Sequence, residues 1–270
     1  MQHAVLATFL AGIACPLVGV LVVIMRLSFI GVCMSHAAFA GALLGLVLGV
    51  HPLLVAFLFA LAAAGVLGPL ADRGDFAPDT AMGIVFSSSL GLSFLLLALI
   101  PGPKTEALNL LWGSPLTVIP SDLIILAVVA AAAVLLSGLF FKEIQAVVFH
   151  RELAAAVGIP ATAVYYGLLL LSGTAITASL KAIGGLLVFA LIINPAAAAY
   201  QLTYSLRRMF LLAVGFGVLS GWAGLALSSL LNLPSGAFII VVSSLVFVAA
   251  ALLSPKRRIK RARAAEATQQ

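Results

Sequence analysis

Long apolar segments, separated by short polar ones, occupy most of this chain. Each apolar segment approaches the ~20 residues that an α-helix needs to cross a hydrocarbon core of ~30 Å. Nearly every position within a segment is apolar, whereas strands of a membrane β-barrel would alternate, so we predict helices. Nine segments qualify, although several have only 17 or 18 residues and leave eight spans as an alternative. The predicted spans are 5–25, 32–49, 53–70, 82–100, 123–141, 163–179, 182–200, 210–231 and 237–253.

The composition agrees with this pattern and excludes soluble proteins. Hydrophobic residues make up 64% of the 270 residues and charged residues only 8%, against about 45–50% and 25% in soluble domains. Glycine and alanine recur at three- and four-residue spacing within the spans, which lets helices approach closely. The sequence therefore predicts an all-α polytopic membrane protein, with residues 1–255 as a single transmembrane domain. Soluble enzymes and proteins that bind nucleic acid are excluded.

The positive charge is concentrated near the C-terminus. Six of the fourteen lysines and arginines lie within 256–263, directly after the last predicted span. Such clusters stay on the cytoplasmic side and attract anionic membrane lipid, so 256–270 is predicted to be a disordered cytoplasmic tail. Counting spans back from this tail places 142–160 and 207–208 inside and leaves only Lys104 and Lys181 outside. This parity favours nine spans of a cell-membrane protein over eight.

The polar segment 142–160 is the longest one predicted to be cytoplasmic. Residues 152–156 favour a helix, which Gly158 and Pro160 terminate. A helix lying parallel to the membrane at this place is what a transporter needs to receive force from a soluble motor protein. An ordinary amphipathic loop helix would have the same sequence, so the segment alone leaves both interpretations open.

His36 is predicted to lie about one turn inside a span. An ionisable side chain there is a functional hypothesis, because its desolvation must be offset by a partner or a pathway. Imidazole also binds transition metals, and Cys33 shares a helix face with His36, so both could contact a soft or borderline cation during transport. The alternative is that His36 makes a structural hydrogen bond and Cys33 is a small apolar residue. Ser35 is a further candidate for lining the pathway.

Asn194 and Pro195 interrupt the seventh predicted span. Proline frees a backbone carbonyl and asparagine adds an amide at membrane depth, which is typical of a helix that lines a cavity. Asn194 is therefore predicted to line a pathway.

Two further observations concern the source of energy. The sequence has no G-x-x-x-x-G-K-[ST] motif for binding phosphate, so any ATP that drives this protein is hydrolysed by a separate subunit. All eight acidic residues lie in loops or at the ends of spans, which disfavours a proton- or sodium-coupled carrier.

Several segments, in this order, resemble the permease subunits of the zinc, manganese and iron importers of the ABC-3 family. LSFIGVCMSHAAFAGALLG, which begins at Leu27, resembles the early family signature L-x-G-D-x-x-S-H-A-x-x-P-G. MGIVFSSSLGL, from Met82, resembles the opening of the family's fourth span, and LKAIGGLLVFALIINPAAAAYQL, from Leu180, resembles its late block. HRELAAAVGIP, from His150, occupies the place of the coupling helix.

This resemblance implies an ABC type II-like importer permease that moves a divalent cation as its substrate. It implies a dimer of permeases, with a homodimer favoured over a heterodimer, and it implies cytoplasmic ATP-binding-cassette ATPase subunits and an extracytoplasmic metal-binding protein as partners. It also implies that Arg151, Glu152, Ala155 and Gly158 contact the ATPase and that His36 is the signature histidine. Catalytic residues and a resident cofactor are not expected in this chain.

The chain departs from the family signature at two positions. Val32 stands where the family has an acidic residue, and Ala40 stands where it has proline. Without the carboxylate, the hard oxygen ligand that manganese favours is lost and the softer Cys33 and His36 remain. A zinc-like cation is therefore favoured among zinc, manganese and iron. The alternative functions are an ion-coupled carrier or channel, and a membrane scaffold that transports nothing.

Overall fold

The computed structural model describes residues 1–27, 29–72, 77–100, 104–105, 107–108 and 115–256. Its regular structure in these ranges is helical, as predicted. The α-helices are α1 (Gln2–Ile24), α2 (Ile30–Leu48), α3 (Pro52–Asp72), α4 (Pro78–Leu99), α5 (Pro120–Leu139), α6 (Phe141–Phe149), α7 (Arg151–Ala156), α8 (Ala161–Ile183), α9 (Gly185–Leu202), α10 (Leu206–Leu231) and α11 (Ser235–Leu252), and Pro115–Thr117 forms a 3₁₀ turn.

All of these helices except α6 and α7 are long and apolar enough to cross a membrane. Within the described ranges this makes nine spans, so the prediction of nine rather than eight is confirmed. The junction between the sixth and seventh spans lies a few residues later than predicted. The chain breaks at Gly184, whose φ of +89° belongs to the left-handed region that glycine tolerates.

The nine spans form a central group and an outer group. Helices α1, α2 and α8 are the most buried, whereas α4, α5 and α11 expose most of their surface. Around the centre, α2 packs against α3 and α4, and α1 packs against α9 and α10. Among the described residues, many large apolar side chains on the outer helices are exposed, as expected for surfaces that face lipid.

Small residues allow backbones to touch where α1 crosses α10. A Cβ added to Gly12 would lie 2.9 Å from the backbone nitrogen of Val218, and one on Gly217 would lie 2.6 Å from the carbonyl oxygen of Gly12. Such distances leave no room for a side chain. The small-residue pattern in the sequence therefore corresponds to direct backbone contact between helices.

One end of the bundle, called here the basic end, holds α6, α7, the start of α10 and the end of α11. Lys256, the first residue of the predicted tail, lies here with its ammonium group 3.7 Å from the ring centre of Tyr200 and 4.6 Å from that of Tyr204. The same ammonium group donates to the backbone oxygen of Tyr200. The rest of the predicted tail, 257–270, lies outside the described residues, so its disorder stays a prediction.

Candidate functional site

His36 lies in α2 and faces α4. Its ring meets the ring of Phe86 edge to face, with 4.9 Å between centroids and 83° between planes. Phe86 also contacts Phe29 in the same manner, at 5.3 Å. The Nδ1 atom of His36 is buried and has no hydrogen-bond partner among the described residues. The structural hydrogen bond that was the alternative explanation is therefore not formed through Nδ1, and this nitrogen keeps its lone pair or proton for another partner.

The neighbours of His36 contribute less polar surface than the sequence suggests. Cys33 is completely buried in the hydrophobic core. The hydroxyl of Ser35 donates to the carbonyl oxygen of Gly31 in its own helix, at 2.6 Å. The roles of Cys33 and Ser35 along a pathway stay predictions.

Asn194 connects two helices. Its side-chain amide donates to the hydroxyl oxygens of Ser243 and Ser244 in α11, at 3.0 and 3.1 Å. Both serines in turn donate to the carbonyl oxygen of Ile240. The polar group that Asn194 places at membrane depth is thus partly satisfied between α9 and α11, and its role in lining a pathway stays a prediction.

An ion pair that the sequence analysis did not predict joins α5 to α8 at the end opposite the basic end. The ammonium group of Lys181 lies 2.8 Å from a carboxylate oxygen of Asp122. Asp122 is only 6% exposed and Lys181 is 27% exposed. Asp122 lies in the first turn of α5 and Lys181 in the last turn of α8, where each charge is also favoured by its helix dipole. The sequence did contain a signal for this pair, because charged residues next to the predicted spans are rare and Asp122 and Lys181 are two of them.

The segment 142–160 forms two short helices rather than one. Helix α6 ends at Phe149. His150 follows with an extended backbone (φ −150°, ψ 84°) and leads into α7. At the other end of α7, the amides of Gly158 and Ile159 bond the carbonyls of Ala155 and Ala154, and Gly158 has a φ of +88°. This is the arrangement in which a helix is commonly terminated by glycine, as the sequence predicts.

Arg151 holds α7 against the start of α8. Its guanidinium group lies 4.4 Å from the centre of the Tyr165 ring, and it donates to the hydroxyl of Thr162 at 3.4 Å. Glu152 and Ala155 are exposed on the surface of α7. These contacts connect α7 directly to α8, one of the central helices.

Helices α6 and α7 also form an exposed cleft, called here the α6–α7 cleft, which the sequence analysis missed. Its volume is about 460 Å³, and its lining includes Phe149, Leu153 and Val157. Leu153 is 63% exposed and Val157 is 76% exposed, although they belong to a polar segment. Two apolar residues four positions apart share a helix face, and this spacing was the available signal. Exposed apolar surface with a polar rim is typical of a protein-binding site.

The described residues do not form a cluster of possible metal ligands. No three histidine, cysteine, aspartate or glutamate side chains there lie close enough together to hold a metal ion. The role of His36 in contacting a cation stays a prediction.

Comparison with known proteins covers almost the whole chain. The model of the ABC 3 transport family matches residues 1–254, which include all nine spans. The chain is 32% identical over 257 residues to the manganese transport system membrane protein MntC of Listeria monocytogenes, covering 95% of this chain and 91% of that protein. It is 29% identical over 258 residues to the manganese import system permease protein ScaB of Streptococcus gordonii, covering 96% and 92%.

The fold is also similar to a solved structure. A chain in the structure of PsaBC from Streptococcus pneumoniae in complex with Fab matches with a TM-score of 0.86 and 30% sequence identity. The match covers 97% of the present chain and 94% of that chain. Sequence and fold comparisons therefore agree over the same span-forming region.

Proposed function

This chain belongs to the ABC 3 transport family, and we propose that it forms the membrane pathway of an ATP-driven importer for a divalent transition-metal ion. Membership makes it a multi-pass transport subunit and not an enzyme. The observation that carries the proposal is the similarity over more than nine-tenths of the chain to permeases named for manganese transport. An ion-coupled carrier or channel and a scaffold are disfavoured, because the relatives described above are named for manganese transport and the acids of the described spans lie at the ends of their helices.

In this proposal the basic end faces the cytoplasm, and the chain pairs with a second copy to enclose the pathway. An ATPase subunit binds the α6–α7 cleft, and an extracytoplasmic protein delivers the metal to the opposite end. The excess of lysine and arginine at the basic end supports this orientation. The link from Arg151 to α8 supports a mechanism in which movements of the ATPase change the packing of the central helices.

We expect the substitutions Leu153→Glu and Val157→Glu to prevent the ATPase from binding. Each places a charge where an apolar side chain would be buried in the interface, and central residues of this kind contribute about 2 kcal/mol or more to association. The measurement is co-purification of an ATP-binding-cassette ATPase with the tagged chain, together with ATP-dependent metal uptake by proteoliposomes. Both quantities should fall about thirtyfold.

Leu233→Glu is the matched control for this experiment. Leu233 is 54% exposed and lies between α10 and α11, at the end opposite the basic end, so the same chemical change should leave ATPase binding intact. Unchanged ATPase association and uptake in both cleft variants would contradict the docking site, as would unchanged values in a variant that combines Glu152→Arg with Gly158→Trp.

For the metal, the donor set of this chain favours a zinc-like ion. His36 offers a nitrogen, and the position one helical turn before it, Val32, offers no oxygen. Imidazole suits zinc, whereas manganese prefers carboxylate and carbonyl oxygens. Manganese is the second candidate, because the relatives named above are manganese permeases.

Replacing His36 with alanine is expected to lower metal uptake about tenfold or more, because this is the loss typical of disturbing a metal site. His51→Ala is the control, since His51 lies exposed between α2 and α3 and should not matter. Uptake of radioactive zinc and manganese by the reconstituted importer checks both variants. Val32→Asp, which restores a carboxylate, should shift the preference towards manganese.

Two results would contradict parts of this proposal separately. Transport by His36→Ala with the rate and affinity of the unmodified protein would exclude His36 from the pathway. Preference of the unmodified protein for manganese would exclude the zinc-like specificity and leave the importer function standing.

A further inference from the structure

A cleft at the basic end has no role in the proposed transport mechanism. It lies where α5 ends and α10 begins, next to α1, and its volume is about 420 Å³, within the range of about 300–1,000 Å³ of ligand sites. Leu17, Ser137 and Phe210 form its buried floor, and Val134 and Leu211 are exposed at its rim. The lining is almost entirely apolar, so it suits a hydrocarbon group.

Ser137 is the polar exception on the floor of this cleft. It is only 6% exposed, and its hydroxyl has no hydrogen-bond partner among the described residues. Serine in a helix commonly donates to the carbonyl four residues earlier, as Ser35 and Ser172 do here. A buried hydroxyl left without a partner is costly. Because this oxygen is also shielded from solvent, it can bond a ligand in the cleft only after the serine side chain rotates towards the cleft.

Arg207 supplies a positive charge at the mouth of the cleft. It lies in the first turn of α10 and is exposed, and no acidic side chain lines the cleft with it. Guanidinium groups bind phosphate oxygens in preference to most other anions because they present several donors in one plane. The mouth of the cleft is thus suited to a phosphate group, and its interior to an apolar chain.

The apolar lining continues along α5 towards the middle of the membrane. A second cleft between α1 and α5 shares Val134 with the first and extends to Ala127. From Ser137 to Ala127 the rise along α5 is about 15 Å, which equals half of a hydrocarbon core of about 30 Å. The two clefts together, called here the α1–α5 furrow, have the length of one leaflet.

We propose that the α1–α5 furrow binds one anionic phospholipid. The phosphate group lies against Arg207, the polar ester region lies near Ser137 on the floor of the cleft, and one acyl chain extends along α5 past Val134. The positive mouth and the match to the length of one leaflet favour a lipid over a second copy of the chain. The proposal concerns a surface separate from His36 and from the α6–α7 cleft.

The experiment measures how much phosphatidylglycerol and phosphatidylcholine remain bound to the purified chain in native mass spectrometry. We expect the chain to retain one phosphatidylglycerol molecule and to prefer it over phosphatidylcholine. Arg207→Gln should reduce the retained phosphatidylglycerol about fivefold, the loss expected for removing one basic residue at an anionic lipid. Arg208→Gln is the matched control, since Arg208 is the exposed neighbour that does not line the cleft.

A second variant tests the furrow rather than the charge. Gly138 lines the cleft, and a Cβ added to it meets no atom within 4 Å, so Gly138→Leu fills the space without disturbing the fold. It should displace the lipid although Arg207 is intact, with an unchanged temperature of unfolding in detergent.

Four results would overturn the proposal. Equal losses in Arg207→Gln and Arg208→Gln would show diffuse attraction to the basic end, and equal retention of both lipids would show that the anionic group is not recognised. Displacement of the bound lipid by inorganic phosphate alone would show that the acyl chain adds nothing. Cross-linking of Val134→Cys into a dimer, with lipid retention that no variant changes, would assign the furrow to a second copy.

Discussion

Replacing Gly19 with leucine is expected to prevent α1 from packing against α9 and to destabilise the whole bundle. A Cβ at this position would overlap the carbonyl oxygen of Ile192 and lie 2.8 Å from its carbonyl carbon and 3.1 Å from the Cβ of Ala196. The obstacle is backbone, which cannot move aside as a flexible side chain can. Inserting extra atoms into a packed core typically lowers the free energy of unfolding by about 1–3 kcal/mol and occasionally more. Because the obstacle here is backbone, we expect the loss in Gly19→Leu to lie at or above the upper end of this range.

The temperature of unfolding in detergent, followed by intrinsic fluorescence, measures this effect. A loss of about 3 kcal/mol should lower it by about 6–12 °C. Gly91→Leu in the outer helix α4 is the control, because a Cβ at Gly91 meets no atom within 4 Å, and it should unfold close to the temperature of the unmodified protein. Equal unfolding temperatures for Gly19→Leu and Gly91→Leu would refute the close approach of α1 to α9.

Replacing Lys181 with methionine is expected to produce the second large loss of stability. It removes the partner of Asp122 while the carboxylate remains 6% exposed at the junction of α5 and α8. Breaking a buried ion pair from one side typically costs about 3–5 kcal/mol, because the remaining charge is left uncompensated. Because Lys181 is partly exposed, we expect the loss in the free energy of unfolding to lie near the lower of these values.

A double variant separates this electrostatic effect from the loss of packing by the lysine chain. Adding Asp122→Asn to Lys181→Met removes the unpaired charge, so the double variant should be more stable than Lys181→Met alone. The measurement is again unfolding in detergent, for both single variants and the double variant. Strict additivity of the two single effects would show that Lys181 and Asp122 do not interact.

The spans could be predicted because their signal is local. In a membrane each helix must satisfy its own backbone hydrogen bonds and present apolar side chains, so a window of about 20 residues is enough to identify it. The split of 142–160 into α6 and α7 was missed, since the break at His150 is neither glycine nor proline and only its contacts with neighbouring elements select it. The end of the α7 segment was predicted from Gly158, whose positive φ is a property of the residue itself.

The candidate site could be predicted only in part. His36 was identifiable because a histidine within a span is rare and its desolvation demands a reason. Its contact with Phe86 was not, because the two residues are far apart in sequence and their approach depends on how α2 packs against α4. The same holds for Asn194, which the sequence suggested for a cavity and whose amide bonds two serines of α11.

By itself the sequence determined that the chain is a helical membrane protein with nine spans, which of its ends is basic, and which residues carry rare polar groups at membrane depth. These properties follow from composition and from the pattern of residues within each single helix. The hydroxyl of Ser35 is satisfied within its own helix. Only the tertiary structure decided the fate of the other polar groups: Asn194 is bonded by α11 and Asp122 by Lys181, and His36 Nδ1 and Ser137 are left without partners in the described part of the chain. The physical reason is that hydrogen bonds and ion pairs extend only a few ångströms, so they depend on which helices become neighbours.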